Sequence, residues 1–406
     1  MKLLVEPYGY QKEGIRFAKS SSYSINGFTM GLGKTLVGIG LACEVAAKRP
    51  LVVCPAFLKI NWESEIKKFC SDPSRFTVVS YGQVGKIDFS KHDVVIGDEA
   101  HYLKSLKAKR TQSFLAGIEK GSPDYVILLT GTPVKNRVPE FFPLMLLCHL
   151  SGRYPQFRPY ANFWDFQSTF TQKKIVHYRS RKVTKFEGVK NVSRLKELLK
   201  PIYLRKRAED VLDLPETVHR EILLAEKSEA DKAIEESWEV YEGGRQGNFA
   251  ALKAVSALSK AAKTAEFVGE GLMAGDFDRV LVFTDHVQAC ESIAAPFGSA
   301  VAKFVTGATP MEARAEYVEA LNEGRIKVLV ATIGALSVGV NITGAHHVVF
   351  NDFAWVEADM DQARKRVHRI GQTKTCYYYY MLASKVDRLV FRTLRKKKAL
   401  IAELDK

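Results

Sequence analysis

The alternation of short apolar runs with amphipathic segments most constrains the fold, and it occurs twice along the chain. In the first third, apolar runs indicate strands, and helical patterns follow Lys34 and Lys59. These runs cover residues 51–54, 77–79, 94–96 and 126–129. Buried strands that alternate with helices are typical of an α/β fold with a parallel sheet.

The same alternation returns late in the chain, at residues 280–283, 328–330 and 347–350. A chain of 406 residues is too long for a single hydrophobic core, so we expect two or more domains. We predict one over residues 1–220, with a helical insertion around 151–200, and one over residues 221–406, with a helical protrusion around 228–272. The tyrosine run 377–380 predicts a strand with alternating faces; a base-stacking platform is the less favoured alternative.

Composition indicates the class of binding partner and the cellular compartment. The formal charge of +15 and the pI near 9.4 predict a polyanionic partner, usually nucleic acid, although a merely basic protein stays an alternative. Six scattered cysteines without zinc-finger spacing indicate reduced thiols. Pro143 interrupts the longest apolar stretch, and the first residues are too short for a signal peptide, so we expect no membrane association. The predicted location is intracellular, in a bacterial or viral-host cytoplasm or a nucleus.

A glycine-rich turn, Gly31-Leu32-Gly33-Lys34-Thr35, lies between a short apolar run and a helical pattern. Glycines let backbone N–H groups curl around phosphates. Lys34 would neutralise the β and γ phosphates, and the Thr35 hydroxyl would bind Mg²⁺. The full pattern has glycine where this chain has Phe28, so the turn by itself leaves a chance glycine-rich loop as an alternative.

An acidic pair, Asp98-Glu99, follows the apolar run 94–96. Asp98 would hold Mg²⁺ through water, and Glu99 would position and activate the attacking water. Adjacent acids are common on surfaces, but the strand before this pair and the phosphate-binding turn upstream favour catalysis.

Gln362, Arg366 and Arg369 are spaced for one face of a helix. Two arginines on that face predict an arginine finger supplied in cis, which would stabilise transition-state charge on the γ-phosphate. A solvated basic face is the alternative from these residues alone.

Taken in this order, the motifs resemble those of the Swi/Snf-type ATPases of helicase superfamily two, over nearly the whole chain. The most specific likeness is the segment 362–372, which ends His368-Arg369-Ile370-Gly371-Gln372. The resemblance implies two RecA-like lobes with parallel sheets, helical protrusions, and an ATP and Mg²⁺ site in the cleft between the lobes. It assigns the following residues to the nucleotide: Gln11 as the adenine reader, Met30, Gly31, Leu32, Gly33, Lys34, Thr35, Gly339 and Gln362.

The resemblance also implies contacts to DNA. It places Lys59, Thr132, Asn136 and Thr332 on the phosphate backbone, and it places Trp62 in a motif that touches a DNA strand. Residues 129–133, Leu-Thr-Gly-Thr-Pro, look most like the branch that contains annealing helicases and fork-remodelling enzymes. The expected partner is duplex or branched DNA, bound by a monomer.

Several functions stay open at this point. The favoured one is an ATP-dependent translocase on duplex DNA. A strand-separating or annealing helicase would use the same motor. A DNA-binding scaffold with a dead ATPase is disfavoured by the intact Lys34, Asp98, Glu99 and Arg369, and a nucleotide switch without DNA is disfavoured by the net charge.

Overall fold

The structure is a computed structural model that describes residues 1–131, 138–178, 181–224, 249–336 and 341–405. The chain divides into two compact units. The first contains Met1–Val211 and the last residues from Ala399 onward, and the second contains Leu212–Lys398. The prediction of an α/β fold with two parallel-sheet lobes is confirmed.

The first unit is built on a six-stranded sheet in which every described pairing is parallel. Its strands are β1 (Tyr23–Phe28), β2 (Leu51–Cys54), β3 (Thr77–Ser80), β4 (Val94–Asp98), β5 (Tyr125–Leu129) and β8 (Tyr203–Lys206), in the order β3-β2-β4-β5-β1-β8. Its helices are α1 (Gly9–Ser21), α2 (Lys34–Glu44), α3 (Lys59–Phe69), α4 (Lys109–Gly121), α5 (Phe142–His149), α6 (Phe163–Phe170), α7 (Val192–Leu199) and α8 (Ala208–Val211). Strands β1, β2 and β4 are buried at every residue, as expected for a parallel sheet covered on both faces.

The predicted helical insertion is only partly helical. Helices α6 and α7 lie within it, but the antiparallel strands β6 (Gln172–Tyr178) and β7 (Arg181–Glu187) come between them. The paired positions Ile175–Thr184 and Val176–Val183 are all β-branched, which favours an extended backbone over a helix. The aromatic and basic composition of the segment hid this local preference.

The second unit has its own six-stranded parallel sheet. Its strands are β9 (Thr217–Leu223), β10 (Val280–Thr284), β11 (Ala302–Val305), β12 (Val328–Thr332), β13 (His347–Phe350) and β14 (Cys376–Leu382), in the order β11-β12-β10-β13-β14-β9. Its helices are α9 (Phe249–Ser259), α10 (Ala261–Ala274), α11 (Val287–Ala294), α12 (Met311–Glu323), α13 (Glu357–Arg364) and α14 (Lys385–Asp405), of which the residues from Ala399 onward belong to the first unit. The predicted boundary at residue 220 falls inside β9, which pairs with β14.

Helix α10, the part of the predicted protrusion nearest the sheet, packs on that sheet. Ala261, Ala265 and Val268 are buried in one cluster with Val280 and Val282 of β10. Residues 228–248 of the predicted protrusion lie outside the described residues.

The tyrosine run is a buried strand. Tyr378, Tyr379 and Tyr380 are 1%, 5% and 4% exposed, so the alternation between a buried and an open face is wrong. Strand β14 lies inside the sheet between β13 and β9, which covers its edges. No base could stack on these rings as they are packed.

Two further expectations concern thiols and membranes. All six cysteines are free thiols, and five of them are buried. Among the described residues, none of the helices combines the length and the hydropathy that a membrane crossing needs.

Candidate active site

The glycine-rich turn joins the end of β1 to the start of α2. Gly31 has φ +87° and Gly33 has φ +69°, in the left-handed region that other residues rarely adopt. A Cβ on Gly33 would also lie 2.5 Å from the Gln11 Nε2 atom. The turn therefore needs glycine for its backbone and for its packing, and Thr35 lies in the first turn of the helix that follows.

Gln11 braces this turn. Its Nε2 donates to the Leu32 carbonyl at 3.1 Å, and its Oε1 accepts from the Tyr8 backbone N–H at 2.9 Å. The side chain is 4% exposed. The structure thus gives Gln11 a role in holding the turn against α1, while its contact with adenine stays a prediction.

Lys34 places its ammonium group over the carboxyl end of β1. Its Nζ donates to the carbonyls of Phe28 at 3.0 Å and Thr29 at 3.3 Å. A Cβ on Gly131, which follows β5, would lie 3.4 Å from this Nζ. Gly131 therefore carries no side chain that would crowd this ammonium group.

Asp98 ends β4 in register with Leu129 of β5, and it is 8% exposed. Its Oδ2 accepts from Trp62 Nε1 at 2.8 Å, and its Oδ1 accepts from the Glu99 backbone N–H at 2.8 Å. Burial and the neighbouring Glu99 raise the pKa of Asp98 to about 6, against the opposing effects of the Trp62 hydrogen bond and of Lys34. A buried carboxylate of this kind gains from a nearby cation.

Glu99 follows with φ +48°, an uncommon conformation for a non-glycine residue. Its Oε2 lies 3.1 Å from Nδ1 of the buried His101, although the two groups are not aligned as a hydrogen bond. Backbone strain is stored most often at functional sites. Glu99 is thus the left-handed turn residue between β4 and the short helical turn that follows it.

Three side chains without an assigned role in catalysis support this site. Trp62, which belongs to the motif likened to a DNA-contacting one, is fully buried and donates to Asp98, so its own side chain does not reach the surface. The Tyr81 hydroxyl donates to the Asp98 carbonyl at 2.8 Å. Arg205 donates from Nη1 to the carbonyls of Gly27 at 2.5 Å and Gly131 at 2.9 Å. In the sequence, these three residues are marked only by being aromatic or basic residues in or near a recognised motif.

The expected single helical face for Gln362, Arg366 and Arg369 is wrong. Helix α13 ends at Arg364, and tight turns carry the chain on through Arg366 and Arg369. Tertiary hydrogen bonds hold that path: the Arg366 carbonyl accepts from the Ile342 N–H at 3.1 Å, and His368 Nε2 lies 2.8 Å from the Pro215 carbonyl oxygen. These bonds override the helical periodicity of the sequence.

Arg366 and Gln362 are buried, whereas Arg369 is only partly buried. Arg366 is 6% exposed, and Gln362 is 9% exposed. Burial lowers the pKa of Arg369 from its ordinary value. A partly desolvated guanidinium interacts more strongly with an anion than a solvated one.

The structure describes two of the four residues predicted to contact DNA. Lys59 begins α3 and is partly exposed, and Thr332 ends β12 and is 9% exposed. Thr132, Asn136 and the predicted nucleotide residue Gly339 lie outside the described residues. These contacts stay predictions.

The residues fit a Mg²⁺ ion bound together with phosphates. Within the described ranges, no cluster of three histidine, cysteine or acidic side chains could hold a metal by protein ligands alone. Mg²⁺ is usually held by one or two protein oxygens, waters and substrate phosphates, and the Thr35 hydroxyl and the buried Asp98 carboxylate suit that pattern.

Two units with all-parallel six-stranded sheets define an α/β protein of two RecA-like lobes. Two family models match the chain: the SNF2-related domain over residues 83–268, and the helicase conserved C-terminal domain over residues 261–371. The chain belongs to the Snf2-type proteins of helicase superfamily two, as the motifs indicated.

The relatives are consistent with the branch that the sequence indicated. The human DNA annealing helicase and endonuclease ZRANB3 is 27% identical over 434 residues, which cover 96% of this chain and 39% of that protein. The SMARCAL1 homologue of Caenorhabditis elegans, a SWI/SNF-related regulator-of-chromatin subfamily A-like protein, is 27% identical and is covered over 62% of its length. The chain thus spans about two fifths of the ZRANB3 proteins. The Sulfolobus solfataricus SWI2/SNF2 ATPase core in complex with dsDNA is 21% identical over 98% of this chain and 94% of that chain, with a TM-score of 0.44.

Proposed function

We propose that this protein is a DNA-dependent ATPase that moves along duplex DNA. The observation that carries the proposal is the arrangement at the carboxyl edge of the first sheet. There the glycine turn and Lys34 lie beside the acidic pair Asp98-Glu99. Such an edge is where α/β proteins bind ligands, and an ammonium group beside an acidic pair fits a phosphate with its cation.

Each residue then has a defined task. Lys34 and the backbone of the turn bind the terminal phosphates, and Thr35 and Asp98 hold the cation. Mg²⁺ bound there would neutralise charge on the phosphates. Glu99 orients the attacking water and takes its proton, while Trp62 holds the Asp98 carboxylate in place.

The second unit supplies the arginines of the proposal. We propose that Arg366 and Arg369 of the second unit act on the phosphate held by the first. The support is the likeness of residues 362–372 to the family signature and the partial burial of both side chains. Arg369→Ala should lower ATP turnover about 10³-fold or more. The exposed Arg392 of α14 offers a matched control, because Arg392→Ala removes the same charge.

Duplex or branched DNA is the proposed polymer, with Lys59, Thr132, Asn136 and Thr332 on its backbone. The net charge of +15 and the relatives named as annealing helicases support this partner. We further propose that the protein acts as a monomer inside the cell. Strand separation or annealing is the second candidate, supported by those same relatives.

Two assays test the function together. We expect ATP turnover to rise with duplex DNA, and we expect ATP-dependent displacement of a third strand from a triplex. A forked duplex should be little unwound when no complementary strand is present to re-pair. Strong unwinding of the fork without triplex displacement would favour the strand-separating helicase, and no response of turnover to any DNA would reject the proposal.

A further inference from the structure

The proposed motor leaves the hairpin formed by β6 and β7 without a task. It pairs Gln172 with Glu187 at its base and Tyr178 with Arg181 at its far end. Seven residues in each strand give an arm of about 23 Å, at roughly 3.3 Å for each residue.

The charge of this hairpin is strongly positive. Residues 172–187 contain six lysine and arginine residues and only one acidic residue. The register places Lys174 directly opposite Lys185. Like charges in directly opposite positions destabilise a strand pair, so folding alone does not explain this placement.

The described side chains near the base are open to solvent. Lys173, Lys174 and Ile175 are all exposed, with Ile175 at 56%. Successive residues of a strand point to opposite faces, so Lys173 and Lys174 put a positive charge on each face. Over the described residues, neither lysine has an acidic partner within ion-pair distance.

The base of the hairpin is fixed to the unit. Gln172 Nε2 donates to the Val189 carbonyl at 3.2 Å, and the Lys190 N–H donates to the Phe170 carbonyl at 3.0 Å. Asn191 Nδ2 donates to the Thr169 carbonyl at 2.8 Å. These bonds attach both ends of the hairpin to the carboxyl end of α6, so the base of the hairpin has a fixed position.

We infer that the β6–β7 hairpin binds the phosphate backbone of duplex DNA, with cations on its two faces reaching the phosphates on either side of a groove. The major groove is about 12 Å wide and admits a two-stranded ribbon. The inference rests on the proposed function, because it assigns a further contact to the same DNA. Contacts of this kind are independent of base sequence.

The test is a salt titration of binding to a labelled blunt duplex. Lys173→Gln/Lys174→Gln should weaken binding and make the slope of log affinity against log salt less steep by about 1.8, because each lost phosphate contact removes about 0.9. The thermal midpoint of the variant should not fall, since Lys174→Gln removes one half of the like-charge pair.

The matched control is Lys86→Gln/Lys120→Gln, which removes the same charge from exposed positions elsewhere in the first unit. It should leave the slope nearly unchanged. If the wild-type protein binds duplex DNA but the hairpin variant keeps its affinity and slope, the hairpin inference is overturned while the proposed function stands. An equal loss in the control, or a loss for single strands alone, overturns it as well. Wild-type protein that binds no DNA would overturn the proposed function itself.

Discussion

The carboxyl edges of the two sheets occupy equivalent positions but are built differently. In each sheet, polar residues end or follow the third and fourth strands in spatial order: Asp98 and Thr130 in the first unit, and Asp285 and Asp352 in the second. In the first unit this edge faces a glycine turn and the ammonium group of Lys34.

In the second unit, the protein's own cations satisfy the equivalent acids. Lys253 of α9 forms an ion pair with Asp285 and lies 3.9 Å from Asp352, which also accepts from the Thr284 hydroxyl. Lys260 is 1% exposed and pairs with Asp387 at 2.7 Å. At the second edge, buried lysines pair with the acids and fix α9 and α10 to the sheet, whereas at the first edge the buried Asp98 accepts from the uncharged Trp62. Polar residues at a strand end therefore do not identify a ligand site until their partners are known.

We call the carboxyl edge of the first sheet the open edge and that of the second sheet the closed edge. The largest expected effect is at the open edge. Glu99→Gln keeps the shape of the side chain but removes the proton acceptor, so ATP turnover should fall by about 10²–10⁴-fold. The exposed Glu119 of α4 supplies the control, since Glu119→Gln makes the same chemical change away from the edge. Steady-state turnover with saturating duplex DNA measures both. Near-wild-type turnover in Glu99→Gln would remove Glu99 from the mechanism.

The closed edge should respond in stability instead. Lys260→Met leaves Asp387 buried without its cation, which should cost about 3–5 kcal/mol of unfolding free energy. Denaturant unfolding measures it. Lys263→Met in the first turn of α10 is the control, because its ion pair with Glu266 is exposed and such pairs contribute about 0–1 kcal/mol.

A second variant separates a lost ion pair from a poorly packed side chain. Lys260→Met/Asp387→Asn removes both charges but keeps an oxygen that can accept from the N–H groups of Ala383 and Ser384, so it should recover much of the lost stability. Equal destabilisation in Lys260→Met and Lys263→Met would show that the buried pair does not hold this edge together.

A moderate effect is expected where a buried side chain supports the open edge. Trp62→Phe removes the donor to Asp98, and the loss of such an outer partner should lower the Mg²⁺ affinity or the turnover by about 10–100-fold. Trp164 is 64% exposed, so Trp164→Phe is the control and should have no effect. A Mg²⁺ titration of turnover measures the change. Identical titrations for both variants would reject the supporting role of Trp62.

The smallest effect concerns pH and the core of the second sheet. Burial, with the nearby His346, lowers the pKa of His347 from 6.5 to about 4. The folded state therefore favours neutral His347: its contribution is complete above pH 6.5 and is lost as the pH falls towards 4. Wild-type protein should lose roughly 1 kcal/mol more between pH 7 and pH 5.5 than His347→Phe, which keeps the ring stacked on Tyr377. Parallel pH profiles of unfolding would contradict this.

The sequence predicted the parts of the fold in which local pattern and tertiary structure agree. The strand runs, the glycine turn and the acidic pair were located correctly, because buried parallel strands are continuous apolar runs and the turn needs glycine. The sequence missed features set by distant partners. The end of α13 at Arg364 depends on Ile342 and Pro215, and the burial of Lys260 depends on Asp387. The β6–β7 hairpin was missed because its charges obscured a β-branched pattern.

The most direct test of the difference between the two edges is ATP binding measured by calorimetry in the presence of Mg²⁺. Wild-type protein and Glu99→Gln should bind one nucleotide with similar affinity, and Lys34→Ala should bind it much more weakly. Lys253→Ala, at the closed edge, should bind nucleotide like the wild type provided that it remains folded by circular dichroism. Unchanged binding in Lys34→Ala, together with a loss in folded Lys253→Ala, would contradict the account, because it would place the nucleotide at the edge assigned to structure.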